Sequence, residues 1–406
     1  MEENNIYKIA FWVSISCVLQ IAESLIPHPI PGLRLGLANV ITLIVLFTIG
    51  WKSAIEVTFF RTILSSFIMG TFMSPAFIMS FFAGIVSALI MALFYRLSCL
   101  SKSHHLSIVG ISILGAIFHN ITQMYIAYFV LVKHSGIFLL FPWLCIGAVF
   151  AGWITGVIAG KVCLRLKEIQ KDETMNEINT DYSSFVLRDY VFGNSYIHRL
   201  PVEMKIAFIF ILSLAVLILN NLWIYAGLFV MLVIIILASQ IPVVYILSKI
   251  KKYSTLLLIS FLFPIFVNYG NSILFRLSYI NITIEGIKMG FIFAMRIILL
   301  IIASSILSRT TSPEDLTKGL IRILSPLLAF RISSKKMASI LSLSWVAVPV
   351  FWEIAKNNIY KIDWRKAKNI RNLMPLISDF IVTLYLDAES LSKSWEENYM
   401  ISAKKD

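Results

Sequence analysis

Pro75-Ala-Phe-Ile-Met-Ser-Phe-Phe-Ala-Gly-Ile-Val-Ser-Ala-Leu-Ile-Met-Ala-Leu-Phe-Tyr-Arg-Leu97 carries no charge before Arg96. A helix needs about 20 such residues to cross a hydrocarbon core of about 30 Å. The run is apolar on every side, so it has no polar face to turn towards water. Comparable runs lie before and after it. Across the 406 residues, 58% are hydrophobic and 14% charged, and mean hydropathy is +0.84. Soluble proteins are about half apolar and a quarter charged. No soluble fold could hide so many apolar helices, and the backbone of each must satisfy itself inside lipid. The chain therefore reads as an all-α integral membrane protein that spans the bilayer several times.

Six candidate spans fill the first part, at about 7–27, 36–51, 53–73, 75–97, 107–132 and 137–162. A polar stretch from Lys161 to Pro201 follows, including Lys171-Asp-Glu-Thr-Met-Asn-Glu-Ile-Asn-Thr-Asp. It lacks apolar periodicity and reads as a solvated linker. Four more spans are expected at about 204–221, 222–242, 253–270 and 284–308. The last hundred residues or so are basic, amphipathic and broken by Pro313, Pro326, Pro349 and Pro375. Met337–Trp352 is short for a span, and lying in the interface is its alternative to crossing. About ten transmembrane helices in two modules, six plus four, are expected. The domain limits are 1–165, a linker at 166–197, a second membrane module at 198–309, and cytoplasmic amphipathic helices at 310–406. No motif is shared between the halves, so inverted repeats are not indicated.

The net charge of +13 does not point to nucleic acid, because Lys and Arg cluster in short loops between spans. With the N-terminus in the cytoplasm, Lys52, Arg96, Lys102 and the Lys161/Arg165/Lys167/Lys171 group fall inside, as does everything after Arg309. In the first half only Arg34 and Lys133 fall outside. The positive-inside rule selects this orientation, with both termini cytoplasmic. Cys17, Cys99, Cys145 and Cys163 show no ligand spacing, so neither a zinc site nor a disulfide framework is expected. Met1-Glu-Glu-Asn-Asn is acidic and lacks a cleavage signal, so the first span is expected to be retained.

Polar groups inside spans are costly and mark functional candidates. Glu23 falls near the outer end of span 1, Arg34 and Asn39 at the outer entrance of span 2, and Arg61 near the middle of span 3. His119, Asn120 and Gln123 follow in span 5, with His119 and Gln123 on one face at i, i+4. Together they converge on the outer half of the first module. Arg34 and Arg61 would neutralise an anionic group of a small-molecule substrate, and the others would supply oriented hydrogen bonds. The competing reading is structural, with Glu23–Arg61 as a buried pair and His119 as a helix–helix hydrogen bond. Glu56, nearer the cytoplasmic end, faces a headgroup or a partner.

Ala148-x-x-x-Gly152-x-x-x-Gly156-x-x-x-Gly160 forms a small-residue stripe that lets helices approach closely. It packs either within the first module or against the second. Ala10-x-x-x-Ser14 is a weaker signal of the same kind.

Pro29-Ile-Pro-Gly-Leu-Arg-Leu-Gly-Leu-Ala-Asn39, Arg61, Gly70-Thr71 and Gly115-Ala-Ile-Phe-His-Asn-Ile-Thr-Gln123 resemble the Gx transporter family. That family is also known as heptaprenyl diphosphate synthase component I. The resemblance covers about 5–165 and implies a six-helix, substrate-binding S-component of an energy-coupling factor (ECF) transporter.

His198-Arg-Leu-Pro-Val-Glu-Met-Lys205, Met295-Arg-Ile-Ile-Leu-Leu and Thr310-Thr-Ser-Pro-Glu-Asp-Leu316 through Leu324-Ser-Pro326 resemble the EcfT/CbiQ-type T-component over about 195–400. Ser312-Pro-Glu-Asp315 also reads as a helix start, with Ser as cap, Pro at the first position and acids in the first turn. The resemblance implies cytoplasmic helices that carry motion from ABC-type ATPase subunits. Such T-components usually carry two Ala-Arg-Gly-like motifs. The second falls on Glu397-Asn398-Tyr399 without its Arg, and only Ala367-Lys-Asn369 lies near the first. Lys368, Arg371 or Lys393 are the available substitutes, although Lys replaces a bidentate Arg contact poorly.

The two resemblances together imply a fused membrane subunit of an importer in a bacterial cytoplasmic membrane, surrounded by lipid. Separate ATPases would use the ATP, since no Gly-x-x-x-x-Gly-Lys-Ser/Thr loop is present. No cofactor, metal site or catalytic residue is expected in this chain. The alternative is a non-catalytic scaffold or accessory subunit of polyprenyl diphosphate synthesis. Catalysis itself would need clustered carboxylates for magnesium, and no Asp-Asp-x-x-Asp occurs.

Overall fold

The computed structural model describes residues 2–25, 36–100, 106–129, 135–169, 195–219, 221–267, 272–277, 280–328, 334–361, 374–387 and 389. The first bundle contains α1 (Glu2–Leu25), α2 (Leu37–Thr48), α3 (Trp51–Ile68), α4 (Pro75–Leu100), α5 (Ile108–Ala127) and α6 (Phe141–Ile169), the last entered through a 3-10 turn at Ser135–Leu140. The second part begins with α7 (Tyr196–Arg199), α8 (Val202–Ile218), α9 (Leu222–Ala238), α10 (Val243–Lys252) and α11 (Ser254–Val267). The antiparallel pair β1 (Ile273–Leu277) and β2 (Ile280–Thr283) leads to α12 (Ile284–Thr310), then α13 (Pro313–Leu328) and α14 (Ser334–Lys361). A further helix, α15, covers 374–387.

Among the described residues, six stretches are long and apolar enough to cross a membrane: Ile6–Glu23, Pro75–Leu100, Ile108–Ala127, Ser135–Glu168, Ile284–Thr310 and Lys336–Ile359. The expected spans at 36–51 and 222–242 are apolar helices of 12 and 17 residues. Met337–Trp352 is not a short piece but the centre of the 28-residue α14. Phe82, Leu89 and Leu93 on α4, and Trp143, Ile146 and Phe150 on α6, stand exposed. Such apolar surface suits lipid, where a soluble protein would hide it. The chain is an all-α membrane protein of the multi-pass kind.

Local chemistry sets the helix starts. Ser107 caps α5 by accepting from the Gly110 N–H at 3.1 Å, and Thr283 caps α12 through Gly286. Ser312 accepts from the Asp315 N–H at 3.1 Å, so the expected start of α13 is present. Gly36 takes a left-handed φ of 78° ahead of α2, a conformation open to glycine.

The modules meet along α1. Ser14 and Ser344 are both fully buried, and the Ser344 hydroxyl donates to the Ala10 carbonyl at 3.0 Å. The weaker small-residue stripe is therefore the one that seats α14. Phe11 and Trp12 meet Tyr385 of α15, and Phe11 also meets Phe351. Glu56 receives Lys336 Nζ at 2.8 and 3.0 Å, which makes α14 its partner. Arg165 pairs with Asp379.

The stronger stripe works inside the first module. A Cβ on Gly152 would sit 2.7 Å from the Ile113 Cα, and one on Gly156 would sit 2.7 Å from the Val109 Cα. Both glycines let α6 touch the α5 backbone. Gly160 has open space around its Cβ position.

One end of the first bundle rests against the second part. The Ser304 hydroxyl of α12 donates to the Gly70 carbonyl, just beyond α3, at 2.9 Å. Met124, Ala127 and Ile137 at that end pack with Ile297 and Ile301 of α12, flanked by Tyr253 and Leu257.

Candidate functional site

At this same end lies a cavity of about 80 Å³, lined by α1, α2, α3, α5 and α6 together with Ser80 of α4. Glu23, Asn39, Arg61, His119, Asn120 and Gln123 all line it. Arg34 lies outside the described residues, as do Lys368, Arg371 and Lys393. Gln20, Ser80 and Thr155 complete the polar wall and were not singled out from sequence. Gln20 stands three residues before Glu23 on the same helical face, which is the signal that could have found it.

Arg61 is the buried cation of the site, 5% exposed. Its Nη2 donates to Asn39 Oδ1 at 2.7 Å and its Nη1 to Gln20 Oε1 at 3.4 Å. Among the described residues, Nε has no hydrogen-bond partner. A guanidinium carries five donors, so this one is oriented by two neutral amides and keeps donor capacity for a further group.

Glu23 does not pair with Arg61. Its carboxylate accepts from the Gly36 N–H at 2.7 Å and the Leu37 N–H at 3.2 Å. The first N–H groups of a helix have no intrahelical partner and carry partial positive charge. Glu23 therefore fixes the start of α2 and spends its charge there, leaving Arg61 without a carboxylate within 4.0 Å among the described residues.

On the opposite wall, Asn120 Nδ2 donates to the Leu144 carbonyl at 3.0 Å. The Ser112 and Thr155 hydroxyls are paired at 2.8 Å. These bonds tie α5 to α6 and hold the Asn120 amide in place. A smaller cavity of about 30 Å³ shares Gln20 and Ser80 and is closed on one side by Tyr253 of the second part. The polar site thus continues towards the contact between modules. Chemically, the arrangement suits a small ligand with an acceptor or anionic group. Among the described residues, no cluster of His, Cys, Asp or Glu could hold a metal ion.

Residues 12–162 match the family model described as heptaprenyl diphosphate synthase component I, and residues 193–394 match that of the cobalt transport protein CbiQ. The energy-coupling factor transporter transmembrane protein EcfT of Brevibacillus brevis is 28% identical over 222 residues, 52% of this chain and 83% of that protein. EcfT of Listeria innocua is 26% identical over 219 residues, 52% of this chain and 83% of its own length. EcfT of Clostridium kluyveri is 29% identical over 216 residues, 51% and 80% respectively. One chain thus joins a component I-like segment to an EcfT-like segment.

Proposed function

We propose that this chain, a multi-pass bacterial membrane component of the energy-coupling factor kind, combines substrate capture and energy coupling in one polypeptide. The first module takes a small molecule into the Arg61 cavity from outside. The second module and its C-terminal helices transmit work from separate ABC-type ATPase subunits.

The observation that carries this reading is the Ser304–Gly70 hydrogen bond. With the N-terminus in the cytoplasm, Gly70 belongs to the outer end of an upright first module, whereas Ser304 lies near the cytoplasmic end of α12. Two upright bundles sharing a core of about 30 Å could not bring these ends together. A first module lying over on its side can, and it then presents its binding cavity towards the cytoplasmic end of α12. Such an arrangement supports toppling as the transport step, with α14 and α15 gripping α1 as the lever.

The test is mild-detergent purification of the full chain from its native host, followed by mass spectrometry of its proteins and extracted small molecules. Stoichiometric ABC-type ATPases together with one enriched small molecule are expected. Recovery with polyprenyl-synthesising subunits and no ATPase would replace this reading with the accessory-subunit alternative.

A further inference from the structure

Away from the Arg61 cavity, the second part carries two adjoining spaces. An apolar slot of about 280 Å³ runs between α7, α8, α9 and α12, walled by residues such as Phe208, Leu232, Ile235 and Ala303. A polar cleft of about 380 Å³ lies beside it, between α7, the start of α8 and α13. Leu200, Lys205 and Thr310 border both, so the two spaces meet. At the mouth of the slot Met204 is 59% exposed, which leaves the slot open to surrounding hydrocarbon.

The cleft has an excess of positive charge. Arg199, Lys205, Lys318 and Arg322 line it, against Glu203 and Asp315. Arg322 is taken by Glu203. Lys205 donates to the His198 and Thr310 carbonyls at 3.1 and 2.9 Å. Arg199 and Lys318 are exposed and form no ion pair among the described residues. An apolar slot that opens into a cleft with two uncompensated cations complements a molecule with a hydrocarbon tail and an anionic head. Basic pockets between transmembrane helices at the cytoplasmic face bind anionic lipid headgroups in this way.

We infer that this paired slot and cleft is a binding site for one anionic phospholipid. One acyl chain fills the slot beside Phe208 and Ile235, and the phosphate sits between Arg199 and Lys318. The lipid bridges α8 to α13, joining the membrane helices to the first of the amphipathic helices. This site is independent of the substrate cavity, and its existence does not require the importer reading.

The test is native mass spectrometry of the full chain, delipidated and then titrated with phosphatidylglycerol or phosphatidylcholine. Wild type is expected to keep one phosphatidylglycerol through detergent removal and to bind phosphatidylcholine at least tenfold more weakly. Arg199→Gln with Lys318→Gln should reduce phosphatidylglycerol retention at least tenfold. Ile235→Trp, which fills the slot and leaves the cations in place, should reduce it as well. A melting curve of each variant without added lipid identifies any that fails to fold, and Met204→Trp at the exposed mouth then replaces Ile235→Trp. Equal retention of both lipids, unchanged by the variants, would mean annular lipid alone and would overturn the proposal. Displacement of phosphatidylglycerol by inorganic phosphate, with Ile235→Trp inert, would overturn it in favour of a free-anion site.

Discussion

The buried Ser304 hydroxyl donates to the Gly70 carbonyl at 2.9 Å, and so α12 completes the end of α3. Gly70 holds a left-handed φ of 64° just past that helix, where carbonyls lack helical partners. A donor from the other module satisfies one of them. The contact is therefore specific to this relative placement of the modules.

Cross-linking tests that placement. In a cysteine-free background, Thr71→Cys and Ser304→Cys are expected to join through a short bis-methanethiosulfonate cross-linker, which links them by reducible disulfides, in the nucleotide-free protein. The joined form should be unable to take up substrate, and reduction should restore uptake. Failure to cross-link in every nucleotide condition would show that the two ends do not meet.

Glu56 and Lys336 supply the charged contact between α3 and α14, with both carboxylate oxygens engaged and both side chains largely buried. Removing one partner strands the other, and a lost charged hydrogen bond costs about 1.5–3 kcal/mol. Glu56→Gln and Lys336→Met should each lower the melting temperature of the solubilised protein by several degrees. The reversed pair, Glu56→Lys with Lys336→Glu, should recover most of the loss. Equal loss in the single variants and the reversed pair would mean that the positions matter for packing and not for charge.

Span existence was legible because an apolar run of membrane length has few other destinations, and Pro75–Leu100 shows it. The polar wall was legible for a related reason: Asn39, Arg61, His119 and Gln123 could not face lipid and had to converge. Partner choice was not legible. Small-residue spacing says that two helices come close but not which two, so Gly152 and Gly156 serve α5 while the fainter Ala10/Ser14 signal serves α14. Glu23 shows the same limit. A buried carboxylate can be satisfied by an arginine or by a helix start, and the turn that brings Gly36 within 2.7 Å decides it. The hairpin Ile273–Thr283 went unread because two short strands give little periodicity to count.

The glycine stripe gives a graded series. At Gly152 and Gly156 an added methyl would meet neighbouring backbone at 2.7 Å, and overpacking costs about 1–3 kcal/mol. Gly152→Ala and Gly156→Ala should therefore lower the melting temperature. Gly160→Ala meets nothing within 4 Å and should be neutral or stabilising, since Ala is favoured over Gly in a helix by about 0.5–1 kcal/mol. Equal effects at all three positions would contradict the packing of α6 on α5.

Arg61 is the side chain whose loss should empty the cavity. Asn39 and Gln20 orient it, while Nε at 5% exposure has no partner among the described residues. A charged hydrogen bond of about 1.5–3 kcal/mol corresponds to roughly 10- to 150-fold in affinity. Asn39→Ala should keep the charge but loosen its aim, giving a loss near the lower limit. Arg61→Lys keeps the charge and loses the planar fork that spans two amides, so its loss should be larger. Arg61→Leu should abolish binding. The readout is occupancy by the small molecule that co-purifies with wild type, quantified by mass spectrometry and compared with the melting temperature of each emptied protein. Wild-type occupancy in Arg61→Leu would show that the ligand does not use this guanidinium, and the cavity would then be a packing feature of the first module.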